Sequence, residues 1–151
     1  MSIFAELRAG VVTASAAETR RLAARLAAEL PPDRTLALHG DLGVGKTTFV
    51  QGLAEGLGIQ HPVTSPTFNI LHLHRGAPPG AAPARNLIHL DAYRLENAHQ
   101  TAGLMVEDFM ESPYCLAVEW PERIAGWLPP DTLHLDLAIE SPGRHRISLR
   151  A

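Results

Sequence analysis

Short apolar runs along the chain predict β-strands that are buried on both faces. Residues 36–39, 86–90 and 114–118 consist mostly of Leu, Ile, Val and Ala. Runs of this length and composition are typical of central strands in a parallel sheet. Residues 69–74 are also strand-like, and residues 10–13 predict a short edge strand. The chain therefore contains enough strands for a central sheet.

Two segments follow a helical period instead. Residues 15–18 read S-x-x-E, a capping box, and the leucines behind it recur every four residues until two prolines stop the pattern. In the second segment, which Gly58 ends, four apolar side chains share one helix face: Phe49, Val50, Leu53 and Leu57. Gly52 and Gly56 interrupt this helix, and close packing against the sheet would explain both. Shorter helical turns are predicted at residues 104–110 and from Pro121 to about residue 126.

Alternating positions near the C-terminus predict an antiparallel hairpin. Apolar and polar residues alternate over 133–139 and again over 146–150, with Ser-Pro-Gly between them. A stretch rich in Gly, Pro and Ala, residues 75–85, joins two earlier strands and favours another hairpin over a helical crossover. We therefore expect one α/β domain over residues 1–151. Its mixed sheet has a parallel core, antiparallel flanking strands and helices on both faces.

The first buried strand and the second helix enclose a phosphate-binding motif. Residues 40–47 read GDLGVGKT, which matches G-x-x-x-x-G-K-T. The glycines allow consecutive backbone N–H groups to point at a phosphate chain. Lys46 would add a charge at the outer phosphates, and Thr47 would offer its hydroxyl to Mg²⁺. The order strand, glycine loop, helix predicts a P-loop nucleotide-binding domain.

The occurrence of a single lysine supports the prediction of a P-loop and also bears on which nucleotide base the site would bind. Lys46 is the only lysine among thirteen Lys and Arg residues. A compact ammonium on a flexible stem has been kept only where a phosphate would need it. The usual guanine-binding motif, Asn-Lys-x-Asp, requires another lysine, so the composition favours ATP.

Two acidic residues end buried strands and are candidates for the hydrolytic site. Asp91 follows residues 87–90, and Glu119 follows residues 116–118. A carboxylate at such a position is costly unless it is paired or binds a metal. Phosphoryl chemistry needs carboxylates that hold Mg²⁺ and position the attacking group. We therefore predict that both residues belong to a Mg²⁺-dependent site.

Bulk properties exclude several classes of protein. The chain has 151 residues, a net charge of −3 and an isoelectric point near 6.2, so it is not a strongly basic nucleic-acid binder. Cys115 is the single cysteine, which excludes an internal disulfide. No signal sequence and no apolar run near 18 residues is visible. We expect a cytoplasmic protein without membrane contact.

Other interpretations remain open at this stage. His72 and His74 share one strand face, as do His89 and Asp91, and two such pairs could form a zinc site. Strand periodicity explains the spacing equally well, and His89 is the more interesting as a neighbour that orients Asp91. A small-molecule kinase also uses a P-loop but needs an acceptor region and a lid. A nucleotide-gated binding module with little hydrolysis is a third possibility.

Four motifs in register resemble one family. They are GDLGVGKTTF at 40–49, SPTF at 65–68, HLDAYRL at 89–95 and EWPE at 119–122. Together they closely resemble the bacterial TsaE (YjeE) ATPases, which serve the synthesis of threonylcarbamoyladenosine beside the anticodon of tRNA. The resemblance spans nearly the whole chain. It implies ATP with Mg²⁺ and assembly with the TsaB and TsaD proteins, so that tRNA is reached indirectly through the complex.

The resemblance also implies roles for individual residues. The phosphates would be cradled by Gly40, Asp41, Leu42, Gly43, Val44, Gly45, Lys46, Thr47 and Thr48. Thr47 and Glu119 would bind Mg²⁺ directly, with Asp91 as their Walker-B-like partner. Thr67 would act as a switch residue near the γ-phosphate. Trp120 would lie at the nucleotide site or the partner surface, and Arg144 is a weaker candidate for nucleotide contact.

Overall fold

A computed structural model describes residues 2–59, 63, 70–76, 86–103 and 105–150. The strands are β1 Val11–Thr13, β2 Arg34–His39, β3 Leu71–His74, β4 Asn86–Asp91, β5 Tyr114–Glu119, β6 Leu133–Ser141 and β7 Arg144–Leu149. The α-helices are α1 Ile3–Ala9, α2 Ala16–Glu29, α3 Lys46–Gly56 and α4 His99–Gly103. Two 3₁₀ helices follow, Val106–Phe109 and Pro121–Trp127.

All seven strands form one mixed sheet in the order β1-β7-β6-β2-β5-β4-β3. The four central strands, β6, β2, β5 and β4, run parallel to one another. Both predicted hairpins are present, because β3 pairs antiparallel with β4 and β7 pairs antiparallel with β6. The short strand β1 pairs antiparallel with β7 at the edge. The predicted fold class, a parallel core with antiparallel flanks, is confirmed.

The sheet divides the hydrophobic core into two clusters. Alternate residues of one strand face opposite sides, as Cys115 and Ala117 of β5 pack in one cluster and Leu116 and Val118 in the other. The first cluster contains the buried faces of α1, α2 and α3. The second contains side chains of both 3₁₀ helices. Helices thus cover both faces, although one face carries only short helical turns.

The predicted capping box begins α2. Ser15 is its N-cap, and the Ser15 Oγ accepts a hydrogen bond of 3.1 Å from the backbone N–H of Glu18. In return, the Glu18 carboxylate accepts the backbone N–H of Ala14. The first bond satisfies an N–H group that the helix itself leaves unpaired, and the second ties the residue before the N-cap to the first helical turn.

Gly52 and Gly56 pack against α2 rather than against the sheet. A Cβ atom on Gly52 would stand 2.4 Å from the carbonyl oxygen of Arg20, and one on Gly56 would stand 2.6 Å from that of Ala24. Real Cβ atoms essentially never approach so closely. The expected partner was therefore wrong, but close packing is the reason for both glycines.

Part of the prediction lies outside the described residues. This applies to Thr67 and the rest of the 65–68 motif, and to residues 77–85 of the predicted loop. The helices of the described part are all too short or too polar to cross a membrane.

Candidate functional site

The site lies where three parallel strands end together. In the register of the sheet, Glu119 at the end of β5 is adjacent to Leu38 of β2 on one side and to Asp91 of β4 on the other. The P-loop follows directly after β2. Because carboxyl ends of parallel strands meet at one edge, both acidic residues reach the phosphate-binding loop, as the sequence predicted.

The P-loop backbone depends on glycine at two positions. Gly40 has a φ of 151°, and a Cβ atom there would stand 2.5 Å from the carbonyl oxygen of Leu137 on β6. Gly45 is the N-cap of α3 and adopts a left-handed conformation with a φ of 96°. The helix then begins at Lys46, so its unpaired N–H groups and positive end face the loop. This arrangement suits an anion such as a phosphate group.

Lys46 is folded back onto the protein. Its side chain is only 5% exposed, and its Nζ donates a 2.6 Å hydrogen bond to the Gly40 carbonyl oxygen. The same Nζ lies 3.6 Å from the centroid of a Trp120 ring, which is a cation–π contact. Burial lowers the pKa of Lys46, while the negative charges of Glu119 and Glu122 act in the opposite direction. The only lysine is therefore held at the loop by contacts that a phosphate chain could replace.

Glu119 and Asp91 differ in their surroundings. Glu119 is 4% exposed, and its Oε2 lies 2.5 Å from Nε2 of the fully buried His89. His89 thus contacts Glu119 directly, not Asp91 as expected from the sequence. The Asp91 Oδ1 accepts the backbone N–H of Tyr93 at 3.0 Å. Burial raises the pKa of Asp91, and this hydrogen bond counteracts the rise.

Aromatic side chains form one wall of the site. Trp120 has a left-handed backbone, with a φ of 55°, directly after β5. Such a conformation is uncommon for a bulky residue and is associated with functional sites. It places the Trp120 ring 5.0 Å from the ring of Tyr93, which is 51% exposed. The Lys46 ammonium lies against the Trp120 ring, and the Trp120 ring lies against the Tyr93 ring. These three side chains therefore form a row across the opening of the site.

These groups surround a cleft of about 370 Å³. It is lined by Leu42, Gly43, Gly45, Lys46, Thr47, Thr48, Asp91, Tyr93, Glu119 and Trp120. The cleft combines a cation, hydroxyl groups and two carboxylates, which is the set that binding of a metal–phosphate group requires.

A second cavity of about 260 Å³ lies on the other side of the loop. It shares Gly45 and Thr48 with the cleft. Its remaining lining comes from the start of α2 and from the β6–β7 hairpin: Ala14, Ser15, Ala16, Thr19, Gly143 and His145. A ligand bound by the P-loop could therefore extend in two directions.

Most of the predicted site residues are brought together. Nine of them line the cleft: Leu42, Gly43, Gly45, Lys46, Thr47, Thr48, Asp91, Glu119 and Trp120. Asp41 is exposed and Val44 is buried below the loop. Arg144 is exposed and lines neither cavity, because the next residue along the strand, His145, takes the inward position.

Sequence reasoning missed several residues that line these cavities. Tyr93 was noted only as part of a motif, and Ser15 and Thr19 only as part of a helix start. His145 was missed although a signal existed. In the alternating pattern of β7, His145 shares the sheet face of Ile147, which is buried in the core with α2 and α3.

The residues at the cleft fit a nucleotide and a magnesium ion. Lys46 and the start of α3 line the site, and Thr47, Asp91 and Glu119 offer the oxygen ligands that Mg²⁺ prefers. In the described part of the chain, no three His, Cys, Asp or Glu side chains could hold a metal on their own. Mg²⁺ commonly relies on one or two carboxylates plus phosphate oxygens, so the arrangement agrees with that mode. It gives no support to the alternative zinc site.

Comparisons with known proteins agree with this geometry. The family model described as "Threonylcarbamoyl adenosine biosynthesis protein TsaE" matches residues 13–147. The chain is 42% identical over 139 residues to the TsaE protein of Bacillus subtilis, covering 92% of this chain and 83% of that protein. It is 33% identical over 138 residues to the TsaE protein of Treponema pallidum, covering 91% and 97%.

A solved structure shares the fold. The crystal structure of YdiB from Bacillus subtilis aligns with a TM-score of 0.71 and 32% sequence identity, over 93% of this chain and 82% of that one. The family model thus covers the P-loop, both carboxylate strands and most of the C-terminal hairpin. The chain belongs to the TsaE family of threonylcarbamoyl adenosine biosynthesis proteins.

Proposed function

We propose that this chain is a Mg²⁺-dependent ATP-binding and ATP-hydrolysing protein that supports threonylcarbamoyl transfer to tRNA. The adenosine modified would be the one next to the anticodon. The observation that carries the proposal is the meeting of Lys46, Thr47, Asp91 and Glu119 in one cleft at the P-loop. Relatives across the family bear names from tRNA threonylcarbamoyladenosine biosynthesis, which supports the pathway.

The proposed role of each site residue follows from its chemistry. The backbone of residues 40–48 and the start of α3 bind the phosphate chain, and Lys46 leaves the Trp120 ring to neutralise the outer phosphates. Thr47 and Glu119 would hold Mg²⁺, with Asp91 as their partner. When bound, Mg²⁺ neutralises charge that develops on the phosphate oxygens. Thr67 is proposed as a switch residue, and its position lies outside the described part of the chain.

The buried pair of His89 and Glu119 supports a positioned carboxylate. One oxygen of Glu119 is engaged by His89 at 2.5 Å, so rotation of the carboxylate would break that hydrogen bond. A carboxylate held in this way is ready to bind a ligand without first losing conformational freedom.

We further propose that TsaB and TsaD complete the active protein and that it works in the cytoplasm. The cleft is open, and Leu42, which is 81% exposed, and Tyr93 stand at its rim. Large apolar side chains at an open rim fit a site that a protein partner covers. Hydrolysis is then expected to be weak for the isolated chain, since water is excluded only in the complex.

The test measures ATP hydrolysis with and without the partners. The chain is mixed with TsaB and TsaD in the presence of Mg²⁺, and phosphate release is compared with that of the isolated chain. We expect stimulation by the partners and its loss in Glu119→Ala. An exposed control in a neighbouring element, Glu107→Ala, should hydrolyse ATP like the wild type. Absence of stimulation would count against the proposed role.

The Glu119→Ala variant also separates the alternatives. If it loses hydrolysis yet fully supports tRNA modification by the complex, nucleotide binding alone gates the partners. Transfer of labelled phosphate to a small acceptor, instead of to water, would favour the kinase class.

A further inference from the structure

A pair of histidines lies at the carboxyl end of β2, immediately before the P-loop. His39 is the last residue of β2, and Gly40 of the loop follows it. Leu38 packs in the first core cluster, so strand alternation directs His39 to the opposite face of the sheet. On that face, the Nε2 of His39 lies 2.8 Å from the Nδ1 of His134 on β6. This is a hydrogen-bond distance, so the two side chains join β2 to β6.

The same two strands hold the first residue of the P-loop. In the register of the sheet, His39 lies opposite Asp136 of β6, one residue before Leu137. A Cβ atom on Gly40 would stand 2.5 Å from the carbonyl oxygen of Leu137, so the Gly40 backbone lies directly against β6. The Gly40 carbonyl oxygen in turn accepts the Nζ of Lys46. A small change in the spacing of β2 and β6 at this point would therefore shift both the loop and its lysine.

Charged groups from three elements face the histidine pair. Glu122 of the second 3₁₀ helix places its Oε2 3.9 Å from the Nδ1 of His39. Asp136 of β6 accepts two hydrogen bonds, of 2.7 and 2.8 Å, from the guanidinium of Arg150 on β7. Burial lowers the pKa of His39, and the charges of Arg150 and of the other histidine act in the same direction, while Asp136 and Glu122 oppose them. His39 is therefore neutral at neutral pH.

The position of Glu122 indicates the direction of the histidine hydrogen bond. A neutral imidazole carries one N–H group and one bare nitrogen. With its proton on Nδ1, His39 turns an N–H group toward the Glu122 carboxylate, and its Nε2 accepts from the Nδ1–H of His134. The reverse arrangement would turn a bare nitrogen toward the carboxylate. The favoured arrangement thus links the second 3₁₀ helix to β2 and β2 to β6.

The pair can keep its hydrogen bond with one added proton but not with two. One added proton is compatible with the bond, because an imidazolium N–H can donate to the bare nitrogen of a neutral imidazole. After a second proton binds, every ring nitrogen carries hydrogen, and two N–H groups with like charges face each other where the bond was. Because the pKa of His39 lies below its ordinary value of 6.5, both rings are charged only in mild acid.

We propose that the His39–His134 hydrogen bond positions the start of the P-loop against β6, and that its loss when both rings are protonated weakens nucleotide binding. Both are positioning residues, since neither lines the cleft. This inference rests on the proposed nucleotide-binding function. The affinity for ADP should then fall in mild acid by more than the protonation of ADP itself explains.

The experiment measures binding of ADP with Mg²⁺ by isothermal titration calorimetry at pH 7.5 and pH 5.5. His134→Leu removes the hydrogen bond and should lower the affinity at pH 7.5 about tenfold. His134→Asn places an amide near the position of Nδ1, which can donate or accept but cannot become charged. It should recover most of the affinity that His134→Leu loses. Between the two pH values, the wild type should lose about tenfold more affinity than His134→Asn does.

Three controls accompany this comparison. Protonation of ADP affects every variant alike, so the difference between the wild type and His134→Asn isolates the histidine pair. His99→Asn, at an exposed histidine of α4, should follow the wild type at both pH values. Far-UV circular dichroism checks that the fold persists at pH 5.5. Nitrogen NMR of the ligand-free chain should show the rings of His39 and His134 titrating together in two steps.

Several results would overturn the inference. Equal losses of affinity in the wild type and in His134→Asn would show that the pair does not sense protons. Wild-type affinity of His134→Leu at pH 7.5, or no recovery in His134→Asn, would show that the P-loop does not depend on this bond. Unfolding of the wild type at pH 5.5, or independent titration of the two rings, would also contradict it.

Failure of the proposed function is distinguishable from failure of this inference. If the wild type binds no ADP at pH 7.5, the proposed nucleotide function fails, and this inference fails with it. If the wild type binds ADP at pH 7.5 and any of the contrary results above is found, the inference alone is overturned.

Discussion

At the scale of single residues, the site consists of charged groups held in costly surroundings. Lys46 is nearly buried beside an aromatic ring, and Glu119 is buried against His89. Asp91 is half-buried, and burial disfavours its ionised form. Burying a charged group is costly unless it has a partner, and Lys46 and Glu119 each have one inside the site. Their meeting in one cleft is what the proposed binding of Mg²⁺ and phosphate requires.

Replacing Lys46 tests the phosphate contact directly. Lys46→Ala should abolish measurable ATP binding in calorimetry while the thermal midpoint changes little, because a desolvated ammonium adds little to stability. Arg123→Ala, which removes a cation 5.8 Å from the Tyr93 ring, should still bind ATP. Tight ATP binding by the Lys46 variant would contradict the assignment of the P-loop.

The Asp91 carboxylate is expected to lower the stability of the folded chain while it serves the proposed function. Burial raises its pKa above the ordinary value of 3.8, so the ionised form at neutral pH destabilises the folded chain. Asp91→Asn keeps an acceptor for the Tyr93 N–H and should raise the thermal midpoint at pH 7. The gain should shrink as the pH falls through the raised pKa, since the wild-type carboxyl then becomes neutral too.

Thermal melts between pH 7 and pH 4 would measure this effect. The exposed Asp108→Asn is the control and should show no comparable gain. A midpoint for Asp91→Asn at or below that of the wild type at pH 7 would argue against the burial cost.

At the scale of elements, the packing of α2 on α3 determines the position of the P-loop helix. The two helices meet through small residues, because Ala23 and Ala27 face Gly52 and Gly56. Both helices also begin beside the second cavity, α2 at Ser15 and α3 at Gly45. A change in their separation would therefore alter both the core and the proposed nucleotide site.

Gly52→Ala should destabilise the chain although alanine favours helices. The propensity gain is about 1 kcal/mol, but overpacking typically costs about 1–3 kcal/mol, and here the added Cβ would meet backbone atoms of Arg20. Chemical denaturation should show a net loss of stability. Gly126→Ala is the matched control, because its Cβ atom would stand 3.8 Å from that of Ala98, an ordinary contact. If Gly52→Ala and Gly126→Ala were equally stable, the close approach of the Arg20 backbone to Gly52 would be refuted.

At the scale of the whole molecule, the two ends of the parallel strands differ in how their polar groups are satisfied. At the amino end, the Asp33 carboxylate accepts the Ser112 hydroxyl at 2.7 Å and the backbone N–H of Tyr114 at 3.1 Å. At the carboxyl end, the Nδ1 atoms of His89 and His145 are buried without a partner among the described residues. The hydrogen bonds at the amino end stabilise the fold. The P-loop follows β2 at the carboxyl end.

Nucleotide binding should therefore stabilise the entire fold. A ligand that binds only the folded state adds about 2.7 kcal/mol at a concentration one hundred times its Kd. For a chain of this length, that corresponds to a rise of roughly 5–10 °C in the thermal midpoint. ADP with Mg²⁺ should produce such a shift in the wild type and none in Lys46→Ala. No shift in the wild type at millimolar ADP would contradict nucleotide binding.

The sequence supplied the P-loop and the mixed sheet because both depend on local signals. Glycine spacing defines the loop, and the length and alternation of apolar runs define the strands. Both acidic residues were predicted for the same reason, since each ends such a run. The partner of His89 was predicted incorrectly, because only the side-by-side register of β4 and β5 brings it to Glu119.

The sequence by itself therefore determined which chemical groups are present and which strands carry them. Tertiary structure alone decided which of them meet. It brought Lys46 onto the ring of Trp120, the glycines of α3 onto α2, and His145 to the edge of the P-loop. These contacts join residues that are far apart in the chain, and no local pattern encodes a distance of that kind. The physical reason is that strand order and helix packing result from burial of the whole core.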